Sequence, residues 1–222
     1  MADQRLRIAV LASGRGSNLQ ALIAARDAGL LPVDFVAVGS DKADAGALQL
    51  AKDAGIPTFT LNPKAFANRR EFDFELFRQL DATGAQVLVL AGFMRIIDGE
   101  ALAPWVGRMI NIHPSLLPKY RGLHTHRRAL EAGDAEHGAS VHYVTAELDG
   151  GPVIAQARIA IQSGDDEAQL AQRLLSHEHL LLPAVLKLMA EQRLGLIAPD
   201  HVTFDGKPIA APLQLRNGKL VD

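Results

Sequence analysis

The chain has 222 residues, 48% of them apolar, and a formal net charge of −2. That composition supports a packed core and excludes an extensively disordered chain. No Lys/Arg-rich block gives it a nucleic-acid footprint, and the lack of cysteine excludes disulfides and thiol chemistry.

The opening MADQRLRIAVLASG has only a brief apolar run. It is too short for a signal h-region or a membrane span and reads as a first strand, while the absence of cysteine fits a cytoplasmic protein. Arg7–Ala12 is that strand, and Ser13-Gly14-Arg15-Gly16-Ser17-Asn18 follows it. A helical pattern comes next, with Leu19, Leu22 and Ile23 on one face. Strand, glycine loop and helix form either a phosphate cradle or a plain tight turn. Glycines let the backbone approach an anion, and helix-start N–H groups point at it. The loop lacks the third glycine of a dinucleotide fingerprint and the Gly-Lys-Ser/Thr of a P-loop, which points to a single phosphate.

Val33–Val38 reads as a second strand, Ala45–Ala54 as a helix ended by Gly55 and Pro57, and Ile56–Leu61 as a short strand. Asn68–Leu80 carries Phe72, Leu76 and Leu80 at helical spacing, leaving Arg69 and Arg70 on its solvent side. Gln86–Ala91 is a continuous apolar run suited to a strand buried on both faces. Gly92-Phe93-Met94-Arg95-Ile96-Ile97 follows, and its apolar residues are either core or the lining of a slot for a flat ligand. A short helix near Asp98–Val106 leads onward. The β-α alternation predicts an α/β fold: an open, mostly parallel, Rossmann-like sheet with helices on both faces.

The stretch Met109–Gly122, MINIHPSLLPKYRG, is the centre of the chain. Arg108–Ile112 alternates like a strand, so Asn111 and His113 share a face, and Pro114 keeps His113 extended. An amide donor beside an imidazole suits a reaction that builds negative charge on a carbonyl oxygen. The other reading is a turn asparagine and a strand-end histidine.

His124–Ala132 looks helical, and Ala139–Val144 and Val153–Ile161 look like strands. Between the strands, Thr145-Ala146-Glu147-Leu148-Asp149-Gly150-Gly151-Pro152 forms a tightly shaped loop with Asp149 at its tip. Asp165 and Asp166 open a helix running to about Arg193, with Pro183 inside it. Its apolar stripe is Leu170, Leu174, Leu181, Val185 and Met189, and Glu178 falls on that stripe. A carboxylate facing inward needs a partner, either a side chain or a ligand. The tail from about Leu196 reads as a hairpin turned at Asp205-Gly206. The pairs His124/His126 and His177/His179 diverge on a helix, so no metal is expected. With no repeat and no linker, residues 1–222 read as a single domain, with an N-terminal half of about 1–105 and a C-terminal half of about 106–222.

INIHPSLLPKYRGLHTH and Glu147-Leu148-Asp149-Gly150-Gly151-Pro152 resemble the formyltransferases that use 10-formyltetrahydrofolate. GRGSNLQAL and AGFMRI add to the likeness, which covers nearly the whole chain and is strongest to the branch serving purine synthesis. The resemblance implies transfer of a formyl group to the amine of glycinamide ribonucleotide. It implies Asn111, His113 and Asp149 as the catalytic trio, with Asn111 and His113 stabilising an oxyanion and Asp149 favouring the charged imidazole and assisting proton transfer. It implies a nucleotide-phosphate loop at Gly16, Ser17 and Asn18, and Glu178 as the residue holding the ribonucleotide through its ribose hydroxyls. It implies reduced folate at Arg69, Met94, Arg95, Ile96, Ile97 and Asn111, and at Thr145, Ala146, Glu147, Leu148 and Asp149. The formyl donor is then a co-substrate, with no metal, nucleic acid or membrane partner. No pattern in the sequence fixes an oligomeric state.

Two relatives share such a core. A methionyl-tRNA formyltransferase carries an extra C-terminal tRNA-binding domain, and a folate deformylase an extra N-terminal regulatory one. The short tail and early first strand favour the ribonucleotide reading over both. A non-catalytic phosphate-binding module would account for the glycine loop and leave Asn111, His113 and Asp149 without a purpose.

Overall fold

The computed structural model describes residues 5–197 and 200–221. The chain forms two compact units, Met1–Asn111 and Ile112–Asp222.

The first unit alternates strand and helix. In order they are β1 (Leu6–Leu11), α1 (Ser17–Asp27), β2 (Val33–Ser40), α2 (Gly46–Asp53), β3 (Thr58–Thr60), α3 (Arg69–Ala82), β4 (Val87–Leu90) and α4 (Gly99–Leu102). Strand β5 (Met109–His113) begins in this unit. The strand order is β5-β4-β1-β2-β3, and every pairing is parallel. Parallel strands are covered on both faces, which explains why β4 and the Ile8–Leu11 segment of β1 are wholly buried. Asn68 caps α3 by accepting from the Glu71 N–H at 3.0 Å, and its own amide donates back to the Glu71 carboxylate. The predicted Asp98–Val106 helix is shorter than expected. It ends at Leu102 and tightens into a 3₁₀ turn over Ala103–Trp105, where Pro104 supplies no N–H for an α-helical bond.

The second unit holds α5 (Thr125–Glu131), β6 (Glu136–Tyr143), β7 (Val153–Ala160) and α6 (Glu167–Ala190). Then come β8 (Leu194–Ile197), β9 (His201–Phe204), β10 (Lys207–Pro208), β11 (Leu213–Arg216) and β12 (Lys219–Val221). Here the strand directions are mixed. β6 and β7 are antiparallel, β7 and β11 parallel, and β11 and β12 antiparallel. A separate antiparallel sheet has the order β10-β9-β8. The Asp205-Gly206 turn joins β9 to β10, with φ of 50° and 76°. A second hairpin turns at Asn217-Gly218, with φ of 49° and 74°, where the sequence reading expected none. Asn-Gly is a favoured pair for a turn needing two positive φ values.

Helix α6 starts on a full capping box between Asp166 and Gln169. Its buried face is wider than one stripe. Leu182, Leu186 and Leu188 are buried beside Leu170, Leu174, Leu181 and Val185, while Met189 is only half-buried. Glu178 is buried on that face at 8% exposure.

Gly151 marks a close backbone approach before β7. A Cβ there would lie 1.9 Å from the Tyr143 carbonyl oxygen, and backbone cannot yield as a flexible side chain does. Gly151→Ala is expected to destabilise the protein by about 1–3 kcal/mol, as overpacking does. A urea melt checks this, and an unchanged midpoint would contradict the close approach.

Candidate active site

Strand β5 carries Asn111 and His113 two residues apart, so strand alternation puts them on one face. His113 is buried, and Asn111 half-buried. The His113 Nε2 lies 2.9 Å from the Tyr120 carbonyl oxygen. A carbonyl can only accept, so Nε2 carries the proton. The other ring nitrogen, Nδ1, faces the Asp149 carboxylate at 3.5 Å. His142 repeats the arrangement. Its Nδ1 donates to the Tyr143 carbonyl at 2.9 Å, and its Nε2 lies 3.7 Å from the other Asp149 oxygen. The Gly122 N–H donates to Asp149 Oδ2 at 2.9 Å. Asp149 itself adopts φ of 46°, a left-handed conformation that aspartate tolerates better than most residues.

These contacts set the charges. Burial raises the Asp149 carboxyl, but His142 and the Gly122 N–H outweigh it and hold it below its usual range. Burial pushes the His113 imidazole down, more than the Tyr120 carbonyl and Asp149 raise it. Asp149 therefore pulls the imidazole up, yet burial wins and the free site holds a neutral His113 at pH 7. A proton arriving at Nδ1 would meet the carboxylate directly.

The rest of the Thr145–Asp149 segment forms its loop. Thr145 is half-buried, and Ala146, Glu147 and Leu148 are exposed. The Glu147 carboxylate pairs with Arg121.

In the first unit, Gly16 has φ of 84° and precedes α1. A Cβ there would lie 2.8 Å from both Cα and Cβ of Ala47, so α2 packs against the loop and admits only glycine. No side chain caps α1 from the position before it, and no acidic residue occupies its first turn. Ser17 and Asn18 open that helix, whose N–H groups suit an anion.

The 92–97 segment divides between the two readings of its sequence. Met94 and Ile96 are exposed at 68% and 51%, whereas Ile97 is buried and belongs to the core. Arg95 lies over the Phe72 ring, 4.5 Å from its centroid. Arg69 is exposed at the start of α3. Below it, Asp73 is fully buried and accepts from the Asp98 N–H at 2.8 Å. Burial raises the Asp73 carboxyl, against the pull of that bond and of Arg69 and Arg95.

Sequence reasoning missed Tyr120, Gly122 and His142. Two of them act through backbone atoms, which leave no side-chain signal. His126 meets His137 rather than His124, with Nδ1 and Nε2 3.0 Å apart. Among the described residues, no group of three or more His, Cys, Asp or Glu could hold a metal ion.

The formyl transferase family model matches residues 6–186. The phosphoribosylglycinamide formyltransferase of Escherichia coli K12 is 51% identical over 191 residues, covering 86% of this chain and 90% of that one. The chain belongs to the formyl transferase family. The trifunctional purine biosynthetic protein adenosine-3 of Drosophila melanogaster is 45% identical over 90% of this chain, which spans 15% of that protein. Among solved structures, the phosphoribosylglycinamide formyltransferase of Coxiella burnetii aligns with a TM-score of 0.89 at 47% identity. That match covers 93% of this formyl transferase and 97% of the other chain.

Buried and half-buried histidines make the stability depend on pH. Burial lowers His113, His126 and His179, and takes His137 from 6.5 to about 4. The unfolded chain binds these protons first, so stability is full above about 6.5 and falls as pH drops toward about 4. Urea melts across that window should show the fall, and His137→Asn should make it shallower. A flat response between those values would contradict the burial.

Proposed function

We propose that this chain transfers the formyl group of 10-formyltetrahydrofolate to the amine of glycinamide ribonucleotide, a cytoplasmic step of purine synthesis. The observation that carries the activity is 51% identity across 90% of a phosphoribosylglycinamide formyltransferase. The His113–Asp149 pair beside Asn111 supports the assignment of its chemistry.

In this reading the ribonucleotide amine attacks the formyl carbon, and the carbonyl electrons become a tetrahedral oxyanion. Asn111 donates to that oxyanion. The amine proton passes to Nδ1 of His113, directly or through a water. Asp149 stabilises the imidazolium that results. Cleavage of the bond to folate N10 restores the carbonyl, and the proton passes to N10. Tyr120 matters because its carbonyl holds the other ring nitrogen and leaves Nδ1 free to accept.

Gly16, Ser17 and Asn18 take the phosphate, and Glu178 takes the ribose hydroxyls. Met94, Ile96 and Leu148 offer exposed apolar area to a folate ring, together with the backbone of Arg95, Ile97 and Thr145–Asp149. Arg69 offers a positive charge to the carboxylates of the folate tail.

Formyl transfer from 10-formyltetrahydrofolate tests the reading when glycinamide ribonucleotide, methionyl-tRNA and water are offered separately. Transfer to the ribonucleotide is expected. Transfer only to the tRNA, or hydrolysis alone, would refute it. Asn111→Ala, His113→Ala and Asp149→Ala should each lower kcat about 10²–10³-fold with smaller changes in binding. Weakened binding with turnover intact would refute those roles. Glu178→Gln should raise the ribonucleotide KM about tenfold to a hundredfold and leave the folate KM nearly unchanged. A large drop in Tm with both KM values intact would instead make Glu178 a packing residue.

A further inference from the structure

Ser13 follows β1, Asp41 follows β2 and Gly92 follows β4. Those strands are neighbours in the order β4-β1-β2 and run parallel, so the three loops leave the sheet at one edge. Ser13 is buried there at 4% exposure. Its N–H donates to the Gly92 carbonyl at 3.0 Å. Its hydroxyl donates to Asp41 Oδ1 at 2.6 Å and accepts from the Met94 N–H at 3.0 Å. The directions are fixed by the donors available. A backbone N–H can only donate, so the single hydroxyl proton goes to the carboxylate. The second Asp41 oxygen lies 3.9 Å from the Arg95 guanidinium, and the Asp41 side chain is itself only 8% exposed.

One serine thus begins the glycine loop and pins the backbone of Met94, 81 residues away. We infer that Ser13 and Asp41 are positioning residues that hold the glycine loop and the 92–97 segment in register. One hydrogen-bond network then sets both the phosphate and the folate subsites of the first unit. This inference rests on the proposed function, and both residues act through the backbone they hold. Asp41 acts by orienting the serine hydroxyl, a charge-assisted bond stronger than a neutral one. Its pairing with Arg95 is too long to fix geometry alone.

Three variants test the network through steady-state kinetics and amide exchange at Met94. Ser13→Ala removes both hydroxyl bonds, and Asp41→Ala removes the acceptor. Each should raise the KM of both substrates about tenfold and speed Met94 exchange. Asp41→Asn offers a carbonyl oxygen at the same place, so both KM values should return to within about threefold of wild type. Exchange at Met94 should slow again with it. A purely structural role would lower Tm in the alanine variants and leave the KM values of the folded protein unchanged, which would overturn the inference. So would an Asp41→Asn variant as impaired as Asp41→Ala. If the wild type transfers no formyl group, the proposed function fails, and Met94 exchange alone decides the network. Unchanged exchange in Ser13→Ala would then overturn it.

Discussion

A carboxylate with a side chain 10% exposed is costly unless it is hydrogen-bonded, and Asp149 accepts a main-chain N–H with two imidazoles beside it. Two imidazoles face its oxygens, and one backbone N–H donates to it. Each imidazole is itself tied by its far nitrogen to a carbonyl of the main chain. The carboxylate is therefore held ionised among groups that cannot turn away. The neighbouring His113 stays neutral because burial outweighs the charge beside it. Such a pair is poised to accept one proton and to stabilise it once it has arrived. That is the requirement of acyl transfer from one nitrogen to another, where a proton must leave the attacking amine and reach the departing one.

The surrounding chain is shaped to keep this pair in place. Asp149 and Tyr120 both adopt positive φ, at 46° and 54°. Neither is glycine, so the surrounding fold must over-determine them. The Tyr120 hydroxyl donates to Asp134 at 2.7 Å, and Lys119 pairs with the same carboxylate. Arg128 lies over the Tyr120 ring and donates to the Arg121 carbonyl at 2.6 Å. These contacts fix the segment whose carbonyl holds His113. In the first unit, Ser13 does comparable work with a side chain, joining loops that leave three adjacent parallel strands.

Much of the fold was legible because its signals are local. The apolar runs of β1 and β4, the glycines after them and the caps of α3 and α6 each declare themselves within a few residues. Glu178 stood out by its place among leucines, and it is buried as that place requires. Asn111 and His113 were legible through strand alternation, and Asp149 only through resemblance. The Asn217-Gly218 turn was also written locally and was passed over. What the sequence did not disclose depends on tertiary approach. Nothing in Tyr120 or Gly122 announces that its backbone will meet His113 or Asp149. Ser13 and Asp41 are 28 residues apart, and only the order β4-β1-β2 makes them neighbours. The balance of charge was hidden for the same reason, since burial decides the state of His113.

The protonation state of His113 is therefore the most direct test. Nitrogen NMR of the imidazole, with the ring signals assigned through His113→Asn, reads which nitrogen bears the proton at pH 7. A neutral ring with its proton on Nε2 and a bare Nδ1 is predicted. A ring protonated on both nitrogens at that pH, or on Nδ1 alone, would contradict the account.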